Sequence, residues 1–106
     1  MLEIKRLYPQ HQLAQNFPNL FSPSTIIRYS LPTQSSVSLK IYNINGQLIT
    51  TLVNDVNAVG NFNVEWNGKN EFGFQVASGV YIYRIIARAE DGSHNFIDSK
   101  KLLLLK

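Results

Sequence analysis

The sequence contains no cysteine. That excludes a disulfide scaffold and any thiolate metal site, and leaves the fold to packing and hydrogen bonds. Histidine is almost as scarce, with His11 and His94 the only two. Long apolar runs are missing too. The nearest candidate, Leu102 to Leu105, is four leucines, far below the length that spans a bilayer. The opening MLEIKRLYPQHQ lacks the apolar centre of a secretory signal. If the protein is exported, this chain is therefore expected to be part of a longer one. Nor is charge of one sign concentrated. The formal charge is +3, and the lysines and arginines form no stripe of the kind a nucleic acid needs. Finally, no segment of helical length repeats its apolar residues with a period of about 3.6.

What remains is a short, aromatic-rich chain punctuated by turns. Its 106 residues suffice for one domain with a small core. The hydrophobic share of 44% and charged share of 16% are those of a globular protein, and 11% aromatic residues suit strands. TIIRYSL (Thr25 to Leu31) alternates, with Ile27, Tyr29 and Leu31 on one face. SVSLKIY (Ser36 to Tyr42) alternates more cleanly, with Val37, Leu39 and Ile41 inward and Ser36, Ser38 and Lys40 outward. A period of two with one wet face marks an antiparallel sheet.

Asn45-Gly46 predicts a hairpin turn in which both residues take positive φ, returning QLITTLV beside the preceding strand. NDVNAVGN reads as a polar loop. In FNVEW, Phe62, Val64 and Trp66 share a face. NGKNEFG (Asn67 to Gly73) is a compact turn region, and Gly79 marks a bend or bulge ahead of the longest strand, VYIYRIIARA. EDGS (Glu90 to Ser93) turns the chain into a final strand. The expected fold is all-β, an Ig-like antiparallel sandwich of about seven strands. Residues 1–15 are expected to be a linker or loosely docked arm, and 16–106 the domain.

The constellations that could carry chemistry are thin. Ser78-Gly79 invites comparison with a nucleophile elbow, but Val76 stands where its first glycine should be, and no helix follows. The two histidines read as exposed polar residues rather than as bases beside an activated hydroxyl. NGKNEFG offers oxygen donors but lacks the carboxylates and closing glutamate of a calcium loop, so Asn67, Gly68, Asn70 and Gly73 read as turn residues. Trp66 and the tyrosines could stack on a sugar. Trp66, however, alternates with Val64 and Phe62, which favours burial, whereas Tyr42 falls on an outer face. Lys100, Lys101 and Lys106 bracket the terminal leucines. They serve either to discourage pairing at a sheet edge or as a tail read by a partner.

Several blocks in order carry a resemblance. They are QNFPNLFSPSTIIRYSLP, VSLKIYNINGQLITTLV, GNFNVEWNGKN, VASGVYIYRI and KKLLLLK. Together they resemble the type A C-terminal sorting domain of type IX secretion (the Por secretion system C-terminal domain), found at the ends of exported proteins of Bacteroidota and related phyla. More distantly, the chain resembles the Ig-like domain of flagellar hook-capping proteins. The family's opening has the form N-x-P-N-P-F-N-P-x-T. Asn16, Pro18, Asn19, Phe21, Pro23 and Thr25 fit it, while Leu20 and Ser22 depart.

The resemblance implies a non-catalytic Ig-like signal with no cofactor, metal, nucleic acid or small-molecule substrate. It would be linked to an upstream passenger, carried through the periplasm, and read by the type IX translocon and its associated surface peptidase before release to the cell surface or medium. It assigns a readable surface to Gly79, Tyr81, Lys100, Lys101 and Lys106. Pro18, Asn19, Phe21, Pro23, Gly46, Trp66 and Gly68 are assigned structural roles. The three prolines at 18, 23 and 32 suggest a stiff, extended lead-in, with Phe17 and Phe21 pinning it to the sandwich edge. The alternatives are a structural or adhesive Ig-like module and a carbohydrate-binding accessory domain of a hydrolase.

Overall fold

A computed structural model of the chain describes residues 10–18, 20–21 and 24–105. Among these there is no helix. The strands are β1 (Gln12–Leu13), β2 (Leu20–Phe21), β3 (Thr25–Leu31), β4 (Ser35–Asn43), β5 (Leu48–Asn57), β6 (Gly60–Trp66), β7 (Gly79–Ala89) and β8 (Asn95–Leu104). They form a three-stranded sheet in the order β1-β3-β6 and a five-stranded sheet in the order β2-β8-β7-β4-β5. All pairings are antiparallel except that of β2 with β8, which is parallel. The two sheets face each other as the expected all-β, Ig-like sandwich.

The alternation read from the sequence is the alternation that packs. Ile27, Tyr29 and Leu31 of β3 lie beneath Val37, Leu39 and Ile41 of β4 and Tyr83, Ile85 and Ala87 of β7 in one buried cluster. Opposite them on β6, Phe62 and Val64 register with Tyr29 and Ile27, and Trp66 registers with Thr25. Stacking of the Tyr29 and Phe62 rings, 5.2 Å between centroids, ties the two strands on the core side. Leu13 of β1 is also a core residue, so packing begins ahead of the boundary placed at residue 16.

Two local expectations change. The stretch read as a polar loop after Val53 continues as strand to Asn57, paired with Ser35. An edge strand faces water, so its polar residues need no apolar alternation to stay paired. At the β4–β5 hairpin only Gly46 has positive φ, at 80°, and no non-glycine residue does. The Gly46 N–H donates to the Asn43 carbonyl and the Asn43 N–H to the Gln47 carbonyl, both at 3.0 Å. This is a turn over Ile44-Asn45 followed by a left-handed glycine, not a two-residue turn with two positive φ values.

The same design recurs at Asn70. There the Gly73 N–H donates to the Asn70 carbonyl, and the Asn70 side-chain oxygen accepts from the Phe72 and Phe74 N–H groups. Asn43 Oδ1 likewise accepts from the Asn45 and Gln47 N–H groups. In N-x-x-G-x the asparagine amide satisfies two backbone donors that a bare turn would leave to solvent.

Candidate recognition surface

Hydrogen bonds tie the lead-in down at Asn16, Pro18 and Thr25. Asn16 is buried, and its Nδ2 donates to the Pro18 carbonyl at 2.8 Å and to Thr25 Oγ1 at 3.0 Å. Thr25 Oγ1 in turn donates to the same Pro18 carbonyl at 2.8 Å. Three residues of the opening motif, Asn16, Pro18 and Thr25, thus close one polar knot around a single carbonyl. Phe17 pairs through its backbone with Ile26, yet its side chain is 59% exposed. It does not pin the segment as expected. The reason is geometric, since backbone pairing with β3 aims alternate side chains at the core and the core side goes to Asn16. Asn19, Pro23, Lys106 and the side chain of Phe21 lie outside the described residues.

Between β1 and β3 the chain crosses from the smaller sheet to the larger one and back. Gln15 Nε2 donates to the Lys101 carbonyl at 2.8 Å, and the Tyr83 hydroxyl donates to the Ala14 carbonyl at 2.7 Å. Leu20 and Phe21 then pair with Leu103 and Leu104 of the last strand. The stretch is not one extended rod. It laces the start of the domain to its final strand. Burial pushes the Tyr83 phenol up to about 12; a backbone hydrogen bond from Asn16 opposes this, and the Asp98 carboxylate adds to it.

Trp66 is a core residue, as its alternation implies. Its Nε1 donates to the Lys69 carbonyl at 2.9 Å, and its ring meets Tyr81 edge-on at 5.4 Å. Gly68, with φ 77°, lets the chain fold back so that its carbonyl accepts from Val76. The Tyr81 hydroxyl donates to the Ala77 carbonyl at 2.7 Å. The 67–78 loop therefore caps the Trp66–Tyr81 pair, and Tyr81, assigned to the readable surface, stands inside.

The other residues assigned to that surface divide by face. β7 registers with β8 so that Gly79 faces Leu104, Tyr81 faces Leu102 and Tyr83 faces Lys100, all toward the core side. Val80 faces Leu103 and Ile82 faces Lys101, all outward. Lys100 and Lys101 thus project to opposite faces of the sheet, as adjacent strand residues must. Gly79 takes φ 151°, in the region glycine tolerates, with open space where a side chain would begin.

The outward rows hold residues that sequence reasoning did not bring together. Lys101, Ile82, Tyr42 and Leu48 form one row across β8, β7, β4 and β5, and Ser99, Arg84, Lys40 and Thr51 form the next. Arg84 lies over the Tyr42 ring at 5.7 Å, and its Nε donates to Ser99 Oγ at 3.1 Å. The signal was available, because the alternation that turns Val37 and Tyr83 inward turns Lys40 and Arg84 outward.

The histidines meet each other and not a serine. His11 stacks on Phe96 at 4.9 Å and approaches His94 edge-on at 6.2 Å. They sit by the β7–β8 turn, since the His94 carbonyl accepts from Ala89. Ser78 precedes the opposite end of β7, a strand of eleven residues and thus about 36 Å long. Burial, and then His94, hold the His11 imidazole below its ordinary range. Among the described residues no group of three histidine, cysteine or carboxylate side chains is placed to hold a metal.

Comparison with known proteins places this geometry. No curated protein sequence matches the chain. Among solved structures it is similar to dimeric latent PorU from Porphyromonas gingivalis, with a TM-score of 0.72 and 17% identity over 92% of this chain and 9% of that one. It is similar to FlgD from P. aeruginosa, at 0.60 and 21% over 76% of this chain and 60% of that one. It is also similar to PorZ, an essential surface component of the type IX secretion system of P. gingivalis, at 0.52 and 18% over 89% and 11%. The chain thus spans about a tenth of PorU and of PorZ. At these identities the likeness is one of fold. The profile of the FlgD Ig-like domain matches residues 22–93, more than half of the sequence, and this chain belongs to the FlgD Ig-like domain family.

Proposed function

We propose that this domain is a non-catalytic C-terminal sorting module that addresses an upstream passenger to the type IX secretion system. One observation carries the reading. The residues of the opening motif do not form a generic linker but a knot, Asn16–Pro18–Thr25, that laces the lead-in to the final strand through Gln15 and Lys101. A passenger joined ahead of this segment would be held against the strand that carries the closing motif. The likeness of fold to PorZ supports the same assignment. In this reading the domain acts without chemistry of its own. It travels through the periplasm to the cell surface or medium, and its partners are the translocon and the associated surface peptidase. Gly79, Lys101 and the outer ends of β7 and β8 are what a reader would touch.

Membership of the FlgD Ig-like family favours a second reading, a structural or adhesive module that spaces or caps a surface assembly. One experiment separates the two. A reporter with a periplasmic signal is joined ahead of the whole chain and expressed in hosts with and without the type IX translocon. The sorting reading expects surface reporter only where the translocon is present. Surface reporter in both hosts, or in neither, overturns it. Lys101→Glu is then expected to reduce export while leaving the thermal midpoint unchanged, because it is a substitution at an exposed position.

A further inference from the structure

The outer face of the five-stranded sheet contains an unresolved conflict. Lys40 of β4 and Arg84 of β7 are direct partners in the antiparallel register. Like charges set opposite one another on neighbouring strands destabilise a sheet. Their row offers no relief, since Ser99 lies beyond Arg84 and Thr51 beyond Lys40. Lys101 and Arg88 add two more cations on the same face. The outward positions of β8, β7, β4 and β5 include no carboxylate.

Apolar groups flank these charges. Leu103, Val80 and Leu48 are 37%, 40% and 42% exposed, and Ile82 and Tyr42 lie half-buried between them. Arg84 is held at its base by Ser99 and rests on Tyr42, so its planar guanidinium is already ordered for bidentate binding of an oxyanion.

We propose that this face is the docking surface for an acidic protein partner. Such a partner would present carboxylates flanked by apolar side chains, with Lys40 and Arg84 as the central anion-binding point. A carboxylate between the two cations turns a repulsion into two attractions, so the cost that the pair carries in the free domain is offset only when the partner is bound. A protein fits better than a lipid surface. Arginine and tyrosine are both among the residues that protein interfaces enrich, and here they are in contact. The inference goes beyond the sorting reading and does not depend on it, since an adhesive module would use the same face.

The test uses the full chain labelled with nitrogen-15. The probes are a soluble peptide alternating glutamate with leucine, the same peptide with lysine for glutamate, and phosphatidylglycerol vesicles. The glutamate peptide is expected to perturb the amide signals of Lys40, Tyr42, Ile82, Arg84 and Lys101, and to bind more weakly as salt rises. Lys40→Gln combined with Arg84→Gln is expected to weaken it about tenfold or more while keeping a dispersed spectrum. Should that variant unfold, Arg88→Gln with Lys101→Gln makes the same comparison at exposed positions, with about a threefold loss. No perturbation by the glutamate peptide, equal binding of the lysine peptide, or perturbations on another face would each overturn the proposal. So would uptake by vesicles through this face without binding of the peptide, which would make it a lipid-facing surface.

Discussion

The two faces of the five-stranded sheet are made by the same strands, yet they obey different rules. On the inner face every position of β7 from Tyr81 to Ala89 is buried, and its partners on β4, Val37, Leu39 and Ile41, are at most 1% exposed. On the outer face, one residue along each strand, apolar and cationic groups intermingle and two cations oppose each other. The inner face is what packing alone would choose. The outer face holds more apolar surface than a wet sheet needs and a charge arrangement that packing would remove. Stability has shaped one side, and the other departs from it in the manner of a site that has a partner.

Truncation on each face widens or closes that contrast. Leu39→Ala removes a fully buried side chain from the inner layer. It is expected to cost about 2–5 kcal/mol, a large share of a small domain's stability. Ile82→Ala, half-buried on the outer face, should cost less than about 1.5 kcal/mol. Urea unfolding of both variants measures the difference. Equal losses would mean that the outer face is packed as part of the core.

The seam where the lead-in meets the inner face comes next in size. Thr25→Val keeps the shape but removes the hydroxyl that bonds the Pro18 carbonyl and accepts from Asn16. With a buried amide donor left short of a partner, the expected loss is about 1–3 kcal/mol. Tyr83 adds an alkaline signature. Its folded pKa is raised from 10.0 to about 12, so its contribution is complete below 10 and is lost as pH rises toward 12. Tyr83→Phe should flatten that limb of the stability curve, measured by unfolding at a series of pH values.

How much of this was legible follows from the range over which each cause acts. The inner faces of β3, β4 and β7 were readable because period-two alternation is local and burial enforces it. Trp66 was readable for the same reason. The separation of Lys100 from Lys101 was implicit in adjacency on a strand, but grouping them as one tail hid it. The path of the lead-in was not legible. It rests on partners far along the chain, such as Gln15 with Lys101 and Leu20 with Leu103, and no local pattern encodes them. The Lys40–Arg84 pairing needed the register of β4 against β7, which neither strand's own pattern supplies. The left-handed glycine after Ile44-Asn45 needed the turn length, which the Asn-Gly signal leaves open.

A smaller effect concerns His11, beside the β7–β8 turn. The imidazole of His11 sits on Phe96 with its pKa held below the usual 6.5. The folded chain therefore takes up this proton less readily than the unfolded one. Its contribution is present above about 6.5 and is lost as pH falls through and below that value. The protection factor of the Ala14 amide, which donates to the Arg28 carbonyl, should fall on mild acidification once the intrinsic exchange rate at each pH is divided out, and His11→Gln should remove the dependence.

The finest distinction is electrostatic. Lys40→Glu places a carboxylate opposite Arg84 and beside Thr51, and so replaces the like-charge pair by an attractive one. On the free domain it is expected to raise stability by about 0.2–1 kcal/mol, the scale of a cross-strand pair. Arg84→Gln alone should be nearly neutral, because it ends the repulsion but also the contact with the Tyr42 ring. A double-mutant cycle on these two positions isolates the coupling, and salt should shrink it. A coupling of zero would mean that the two side chains splay into solvent without sensing each other. A repulsive coupling in the natural pair would give the outer face what the inner face lacks, a stability cost with no return in the isolated domain.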